Sequence, residues 1–145
     1  MKTKIKKDWY GRLKSIEELH NDSRLWLSEI DFVNDEIRFL NHLLSSNYID
    51  FLDAGLLNKT KELIVKISDE KEAGTSLYKL IRDHERKLSD LIETKSVTNN
   101  KNYLQVHEKF ERKIDRYFKK NKEIKKQIFK IVEKVMRKKE QKKLI

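Results

Sequence analysis

The sequence predicts an all-α fold, an antiparallel bundle of three long helices with coiled-coil-like packing. Three segments, each of about forty residues, carry apolar residues at alternating spacings of three and four, which is the pattern of a helix that packs lengthwise against others. Proline is absent and only three glycines occur, so few residues would interrupt such helices. A charged fraction of 40% is also typical of long helices.

Length and composition indicate one helical domain that covers residues 1–145. Hydrophobic residues make up 37% of the chain, and they can supply a core because they are concentrated on helix faces. The absence of cysteine excludes disulfides, thiolate metal sites and cysteine nucleophiles. No run of about 18 apolar residues predicts a membrane-spanning helix, and residues 1–7 do not lead into the apolar core of a secretory signal, so we expect a cytoplasmic protein.

The first helix is predicted over residues 8–46, with Asp8 as the residue that caps its free amide groups. Its core stripe consists of Trp9, Ile16, Leu19, Ser23, Trp26, Ile30, Val33, Ile37, Leu40 and Leu44. A second apolar row, Leu25, Phe32 and Phe39, widens the apolar arc to about 200° at the helical 100° per residue. An arc this wide needs two contact surfaces, so we expect this helix to mediate self-association as a dimer. A fourth helix that folds over this face is the alternative.

The second helix is predicted over residues 56–94, after a connection or short extra turn at residues 47–55. Its apolar register passes through Gly74 without a change of phase. Glycine costs about 1 kcal/mol relative to alanine inside a helix, so Gly74 is the weak point of this segment. We predict a continuous helix. A break at Gly74 is the alternative, and it would produce four helices.

The third helix is predicted over residues 100–140, and it carries the charge imbalance of the chain. Residues 101–145 contain 17 Lys and Arg against 6 Asp and Glu, whereas residues 1–100 contain 17 against 18. The outward side of this helix, called the basic face below, consists of Lys109, Arg112, Arg116, Lys119, Lys120, Lys126, Lys130 and Arg137. Such a row of cations suits phosphates or acidic surfaces. Because the aromatic residues of the helix face the core, contacts to nucleic acid would be made to its backbone only.

A row of carboxylates, Asp22, Glu29 and Glu36, lies between the two apolar rows of the first helix. A carboxylate beside buried aromatic residues needs a compensating charge. We expect that charge to come from Lys or Arg of a neighbouring helix or subunit, and a metal ion is the alternative.

The pattern Trp26-x2-Glu29-x2-Phe32-x2-Asp35-Glu36 resembles one found in small uncharacterised helical proteins of Bacteroidetes. That family has no known activity to transfer. The resemblance implies that Trp26, Glu29, Phe32 and Glu36 act together. With Phe39 they form the predicted interaction surface.

Three histidines form the candidate metal site. In an antiparallel arrangement His20, His84 and His107 lie within two helical turns of one another, and three imidazoles can bind zinc or iron. The other interpretation makes His84 and His107 hydrogen-bonded residues of the core and places His20 at its edge.

The sequence contains no Walker loop, glycine-rich dinucleotide turn, serine elbow or His-Glu-x-x-His motif. We therefore predict a non-enzymatic helical interaction or scaffold protein without a cofactor, which self-associates through the first helix or binds a helical protein partner. A non-specific nucleic-acid-binding protein that uses the basic face is the first alternative, and a metal-binding helical-bundle protein is the second.

Overall fold

The computed structural model describes the backbone of residues 4–9, 12–94 and 101–144, and the side chains of residues 14–94 and 101–141. Its elements in chain order are β1 Lys4–Trp9, β2 Arg12–Ser15, α1 Ile16–Ser46, α2 Tyr48–Asp53, α3 Leu57–Glu93 and α4 Lys101–Leu144. Three long helices dominate, so the all-α prediction is confirmed. The connection between the second and third predicted helices, residues 95–99, lies outside the described residues.

The chain forms two compact units, and each contains parts of α1, α3 and α4. Unit 1 comprises Met1–Asp31 and Thr75–Arg116, and unit 2 comprises Phe32–Gly74 and Tyr117–Ile145. The core cluster of unit 1 joins the three helices and is formed by Leu19, Leu88, Tyr103 and Leu104. The core of unit 2 includes the buried residues Val33, Ile37, Leu40, Leu44, Phe51, Leu63, Ile67, Tyr117, Ile124, Ile128, Ile131 and Val135.

The first helix begins at Ile16, so the predicted start at Asp8 is wrong. Residues 4–9 form β1, which pairs with β2 in an antiparallel hairpin. Ser15 ends β2 and caps α1: its Oγ accepts a hydrogen bond from the amide of Glu18 at 3.1 Å, and its amide donates to Oε1 of Glu18 at 3.4 Å. This reciprocal pair is a capping box, which fixes the first turn of a helix. Trp9 therefore belongs to a strand and not to the stripe of α1.

Helix α3 runs through Gly74 without a break, as predicted. A Cβ atom at Gly74 would collide with the hydroxyl of Tyr117 on α4 and would lie 3.2 Å from its Cζ. The glycine therefore allows the buried Tyr117 ring of unit 2 to approach the backbone of α3 closely. That packing explains why α3 has a glycine at position 74, although glycine is unfavourable in the interior of a helix.

The additional helix is α2, in the segment between α1 and α3, and not a product of a break in α3. Phe51 of α2 is completely buried in unit 2. The helix ends at Asp53, Ala54 is its C-cap, and Gly55 follows with a φ of 73°. The amide of Gly55 donates to the carbonyl of Leu52, and the amide of Leu56 donates to that of Phe51. These two bonds form a Schellman motif, which needs a left-handed residue at this position.

Helix α4 continues to Leu144, four residues beyond the predicted end at 140. The last residues are mostly Lys, Glu and Gln, which are good helix formers, and no glycine or proline stops them. In unit 2 this end of α4 contacts the connection between α1 and α3: Nζ of Lys139 lies 2.8 Å from Oδ2 of Asp50, and Nζ of Lys138 donates to the carbonyl of Ala54. Over the described part of the chain, no helix combines the length and apolarity needed to cross a membrane.

Candidate functional site

The second apolar row of α1 is exposed on the protein surface. The exposed fractions are 56% for Leu25, 65% for Phe32 and 57% for Phe39. In the same helix Val33 and Leu40, one residue further on than Phe32 and Phe39, are buried. Phe32 and Phe39 therefore lie on the solvent side of α1, where the described residues leave more than half of each side chain exposed.

In unit 2, α4 adds two more exposed apolar residues next to this row. Glu36 of α1 and Lys125 of α4 form an ion pair with Oε2 and Nζ 2.8 Å apart. Phe39 follows Glu36 by one helical turn, and Phe129 follows Lys125 by one turn. Phe129 is 47% exposed, while its neighbour Ile128 is buried.

Both phenylalanines thus lie on the solvent side of the ion pair. Met136, two turns after Phe129, is also exposed. We call Phe32, Phe39, Phe129 and Met136 the apolar face of unit 2.

The two sides of the apolar face carry opposite charges. On α1 the segment between Phe32 and Phe39 contains Asp35 and Glu36 and one cation, Arg38, whose Nη2 lies 3.9 Å from Oδ1 of Asp35. On α4 a shallow concavity of about 640 Å³ surrounds Phe129. Its other lining residues are Lys119, Lys122, Glu123, Lys125, Lys126, Lys130 and Glu133. The α1 side is therefore acidic and the α4 side basic.

The residues of the predicted interaction surface do not all lie on the apolar face. Phe32, Glu36 and Phe39 do lie on it or beside it. Trp26 belongs to unit 1 and is only 7% exposed, because its ring packs against that of His107 with centroids 4.7 Å apart. Trp26 is thus a core residue and cannot contact a partner. Glu29 is half-buried in unit 1 and has no ion pair within the described ranges.

Two carboxylates of the row have cationic partners, and for Glu36 the partner belongs to a neighbouring helix, as expected, whereas the partner of Asp22 belongs to a strand. Glu36 pairs with Lys125, and Asp22 accepts a hydrogen bond from the buried Lys14 of β2, with Nζ and Oδ2 2.6 Å apart. These pairings lie within one chain.

The basic face of α4 is exposed along its whole length. All eight of its residues are solvent-exposed. Carboxylates lie beside some of them: Arg112 contacts Glu108, Lys120 contacts Glu70 and Arg137 contacts Glu133. These pairs reduce the net positive charge that the face offers to a phosphate.

Unit 1 contains a chain of hydrogen bonds through two buried histidines. Nε2 of His84 and Nδ1 of His107 are 2.8 Å apart, and Nε2 of His107 lies 2.9 Å from Oδ2 of Asp22. Lys14 binds the same carboxylate oxygen. The ring of Tyr103 stacks on that of His84 with a centroid distance of 4.2 Å and an interplanar angle of 3°.

One proton position follows from this order. An ionised carboxylate only accepts hydrogen bonds, so His107 carries a proton on Nε2 and donates it to Asp22. Nδ1 of His107 and Nε2 of His84 share the next hydrogen bond, in which the tautomers of the two rings decide which nitrogen donates. Nδ1 of His84 is buried and has no hydrogen-bond partner among the residues that the structure describes.

Burial and neighbouring charges shift the pKa values of three groups in unit 1. Burial, followed by the positive charges of His107 and Lys87, lowers the pKa of His84 to about 3, so its ring is uncharged near neutral pH. Burial opposes ionisation of Asp22, but the hydrogen bonds from His107 and Lys14 outweigh it and hold the pKa of Asp22 below its ordinary value. Burial also raises the pKa of Tyr103 well above its usual 10, so the phenol keeps its proton.

The three histidines of the candidate metal site do not come together as a ligand set. His84 and His107 are adjacent, but both nitrogens of His107 are used in hydrogen bonds. His20 contacts Glu85 instead and is exposed. Among the described residues, no group of three His, Asp or Glu side chains is arranged to hold a metal ion. The core interpretation of His84 and His107 is therefore the one that the structure shows.

Sequence reasoning missed several partners of these residues. The ion pair between Lys14 and Asp22 was not predicted. A lysine seven or eight residues before an acidic residue is too common a pattern to indicate an ion pair. In unit 2, Glu70 is buried and accepts a hydrogen bond from Nδ2 of Asn121 at 2.6 Å. Burial raises the pKa of Glu70, and Lys120 offsets only part of this. Both Glu70 and Asn121 interrupt apolar stripes, and this shared property could have predicted that they form a hydrogen bond with each other.

Comparison with known proteins identifies no relative of this chain. No protein-family model, curated protein or solved structure matches the chain. The structure defines an all-α protein with an exposed apolar face in unit 2 and a buried histidine chain in unit 1.

Proposed function

We propose that this chain is a non-enzymatic helical interaction protein that self-associates through the apolar face of unit 2. The observation that carries the proposal is the exposure of Phe32, Phe39 and Phe129 beside one ion pair. Complete burial of a phenylalanine contributes roughly 1.5–3 kcal/mol, and aromatic residues in the centre of an interface commonly dominate its binding energy.

The charges beside the apolar face favour a second copy of this chain as the occupant. A dimer with a two-fold axis uses the same surface on both copies. If the axis passes through the apolar face, α1 of one copy meets α4 of the other, and the reverse contact forms at the same time. Asp35 then approaches Lys122 and Lys126 of the second copy. Opposite charges that surround an apolar centre favour this partner and this orientation.

Light scattering on purified protein tests the proposal. The wild-type protein should have the mass of a dimer, and the double substitution Phe32→Ser and Phe39→Ser should reduce it to a monomer without loss of helix content. Val65→Ser is the matched control, because Val65 is equally exposed in unit 2 but lies on α3. A wild-type protein that stays monomeric at every concentration contradicts self-association. A double variant that remains dimeric shows that another surface is used.

A charge exchange tests the orientation of the two copies. Lys126→Glu should weaken the dimer because it places a carboxylate opposite Asp35, and adding Asp35→Lys should restore it. If the double variant is as weak as the single one, the two-fold pairing of α1 with α4 is wrong, even where the phenylalanine variants behave as expected.

Non-specific nucleic-acid binding by the basic face is the second candidate. It is supported by the exposure of all eight cations on one helix, and their contacts would be made to phosphates. Charge reversal at Arg116, Lys119, Lys126 and Lys130 should abolish binding to a short duplex, as measured by fluorescence anisotropy. Arg116→Glu alone separates this function from self-association, since Arg116 belongs to unit 1, whereas the apolar face consists of residues of unit 2.

A further inference from the structure

The structure places Phe129 of α4 at the surface of unit 2, among the lysines of that helix. The side chain is 47% exposed, and it lines a shallow concavity of about 640 Å³ together with five lysines and two glutamates. The sequence predicted that the aromatic residues of this helix face the core, and contacts to nucleic acid were for that reason expected at its backbone only. That reason does not apply to Phe129, which leaves base stacking open.

Three of these lysines can contact an anion. Lys122, Lys126 and Lys130 form no ion pair among the residues that the structure describes, whereas Lys125 pairs with Glu36. The three follow one another at intervals of four residues, which span about 6 Å along a helix axis. Residues at this interval are neighbours on the surface of a helix. The three ammonium groups therefore form a row beside Phe129.

We propose that the concavity around Phe129 binds single-stranded nucleic acid, with one base packed against the Phe129 ring and the adjacent phosphates on the row of lysines. Every base has a π-face, so this packing does not depend on sequence. An unpaired base can leave its neighbours and stack on a protein ring, whereas the bases of a duplex stay stacked on one another. The inference rests on the second candidate function, nucleic-acid binding by the basic face, and adds the class of nucleic acid.

The lining of the concavity favours this occupant over an acidic helical peptide. A helix that binds in a groove inserts several apolar side chains at intervals of three and four residues. Phe129 is the one apolar residue in the lining of this concavity, and the other lining residues are charged. The site can therefore accept one flat ring flanked by phosphates, but not a row of apolar side chains.

An oligothymidylate of about ten nucleotides and an abasic strand of the same length form a matched pair of probes. They carry the same phosphates, but the abasic strand has no bases. Fluorescence anisotropy measures their binding to the wild-type protein and to the double variant with Phe32→Ser and Phe39→Ser, because a second copy on the apolar face would cover Phe129. We expect the oligothymidylate to bind at least about fivefold more tightly, since stacking of one base on an aromatic ring is worth this much or more.

Substitutions at Phe129 locate the bound base. Phe129→Leu keeps an apolar side chain and every lysine but removes the aromatic ring, so the preference for the oligothymidylate should fall to about twofold or less. Binding of the abasic strand should not change. Phe129→Trp should retain the preference. Tyr48→Leu is the matched control, since Tyr48 is an exposed aromatic residue of unit 2 outside the lining of the concavity, and it should leave binding of both strands unchanged.

The lysines are tested separately from the ring. The double substitution Lys126→Gln and Lys130→Gln should weaken both strands by a similar factor, because each lysine contacts a phosphate that both strands carry. Equal binding of the two strands in both the wild type and the double serine variant, or a preference that survives Phe129→Leu, overturns the proposal. If a short duplex still binds in that case, only this inference fails. If no nucleic acid binds at all, the second candidate function fails with it.

Discussion

At the residue scale, position 74 requires glycine because the side chain of Tyr117 packs against it. Replacement of glycine by alanine inside a helix ordinarily stabilises by about 1 kcal/mol. Here the new methyl group would overlap the hydroxyl of Tyr117, a buried ring with little room to move. Overpacking of this kind costs about 1–3 kcal/mol. We therefore expect Gly74→Ala to lower the free energy of unfolding by about 1 kcal/mol, as measured by urea denaturation.

The substitution Tyr117→Phe provides the control for this prediction. The hydroxyl of Tyr117 has no hydrogen-bond partner among the described residues, so its removal should cost little on its own. In the Tyr117→Phe background, Gly74→Ala should be neutral or stabilising, which gives a coupling energy of about 1 kcal/mol. Additive effects of the two substitutions would mean that the ring does not restrict position 74.

Also at the residue scale, His84 should make stability depend on pH. Its pKa is about 3 in the folded protein against an ordinary 6.5, so below pH 6.5 the unfolded chain takes up a proton that the folded protein does not. The free energy of unfolding therefore falls as the pH is lowered from 6.5 towards 3, by at most about 1.4 kcal/mol per pH unit. Between about pH 7.5 and pH 5 the expected loss from His84 is about 2 kcal/mol.

Two carboxylates with shifted pKa values also contribute to the pH dependence of stability. The pKa of Asp22 is lowered, so its contribution is lost only as the pH falls through that lowered value. The pKa of Glu70 is raised, so protonation of Glu70 acts in the opposite direction and favours the folded state at acidic pH.

Urea denaturation at about pH 7.5 and about pH 5 tests the contribution of His84. The free energy of unfolding should fall less for His84→Gln than for the wild type or for His20→Gln. Equal losses, or an His84 resonance that titrates in the wild type above pH 5, would contradict the prediction.

At the element scale, the beginning of α1 depends on a local signal. Ser15 and Glu18 satisfy each other's polar groups in the capping box. Loss of such a cap typically costs about 1 kcal/mol. We expect Ser15→Ala to destabilise the protein by this amount in urea denaturation, whereas Ser28→Ala, at an exposed position inside α1, should be neutral or slightly stabilising. An equal effect of the two substitutions would show that α1 does not depend on this cap.

The same element shows what the sequence could and could not predict. The apolar stripes predicted α1, α3 and α4, including the passage through Gly74, because such a pattern repeats over many turns and one unfavourable residue does not change its phase. Trp9 lies seven residues before Ile16, which also fits the heptad, so the stripe extended the first helix too far. The Ser15-x-x-Glu18 spacing was the local signal that would have corrected it.

Prediction of the candidate sites was limited by side-chain geometry. The exposed row of Phe32 and Phe39 followed from periodicity alone. The prediction that the aromatic residues of the third helix face the core is wrong for Phe129, because the packing of unit 2 leaves Phe129 and Met136 exposed. The proximity of His84 and His107 was expected from antiparallel helices, but the link to Asp22 depends on how far each side chain reaches, which no spacing encodes.

At the scale of the whole molecule, the net charge of +10 gives the two candidate functions different salt dependences. Two copies of a strongly cationic protein repel each other over long distances, and salt screens this repulsion because the Debye length is only about 8–10 Å near physiological ionic strength. The apolar contacts of a dimer are not weakened by salt, and its close charge pairs are screened less than distant charges. Self-association should therefore be as strong or stronger at high salt.

Nucleic-acid binding should respond to salt in the opposite direction. Each phosphate contact releases a condensed counterion, so a site with four such contacts loses roughly 10²-fold in affinity between about 50 and 200 mM salt. We expect the dissociation constant of the wild-type dimer, from sedimentation or light scattering, to be no larger at 200 mM than at 50 mM salt. The variant with Phe32→Ser and Phe39→Ser should be monomeric at both concentrations. A dimer that dissociates as salt is raised would show that charge pairs, and not the apolar face, hold the two copies together.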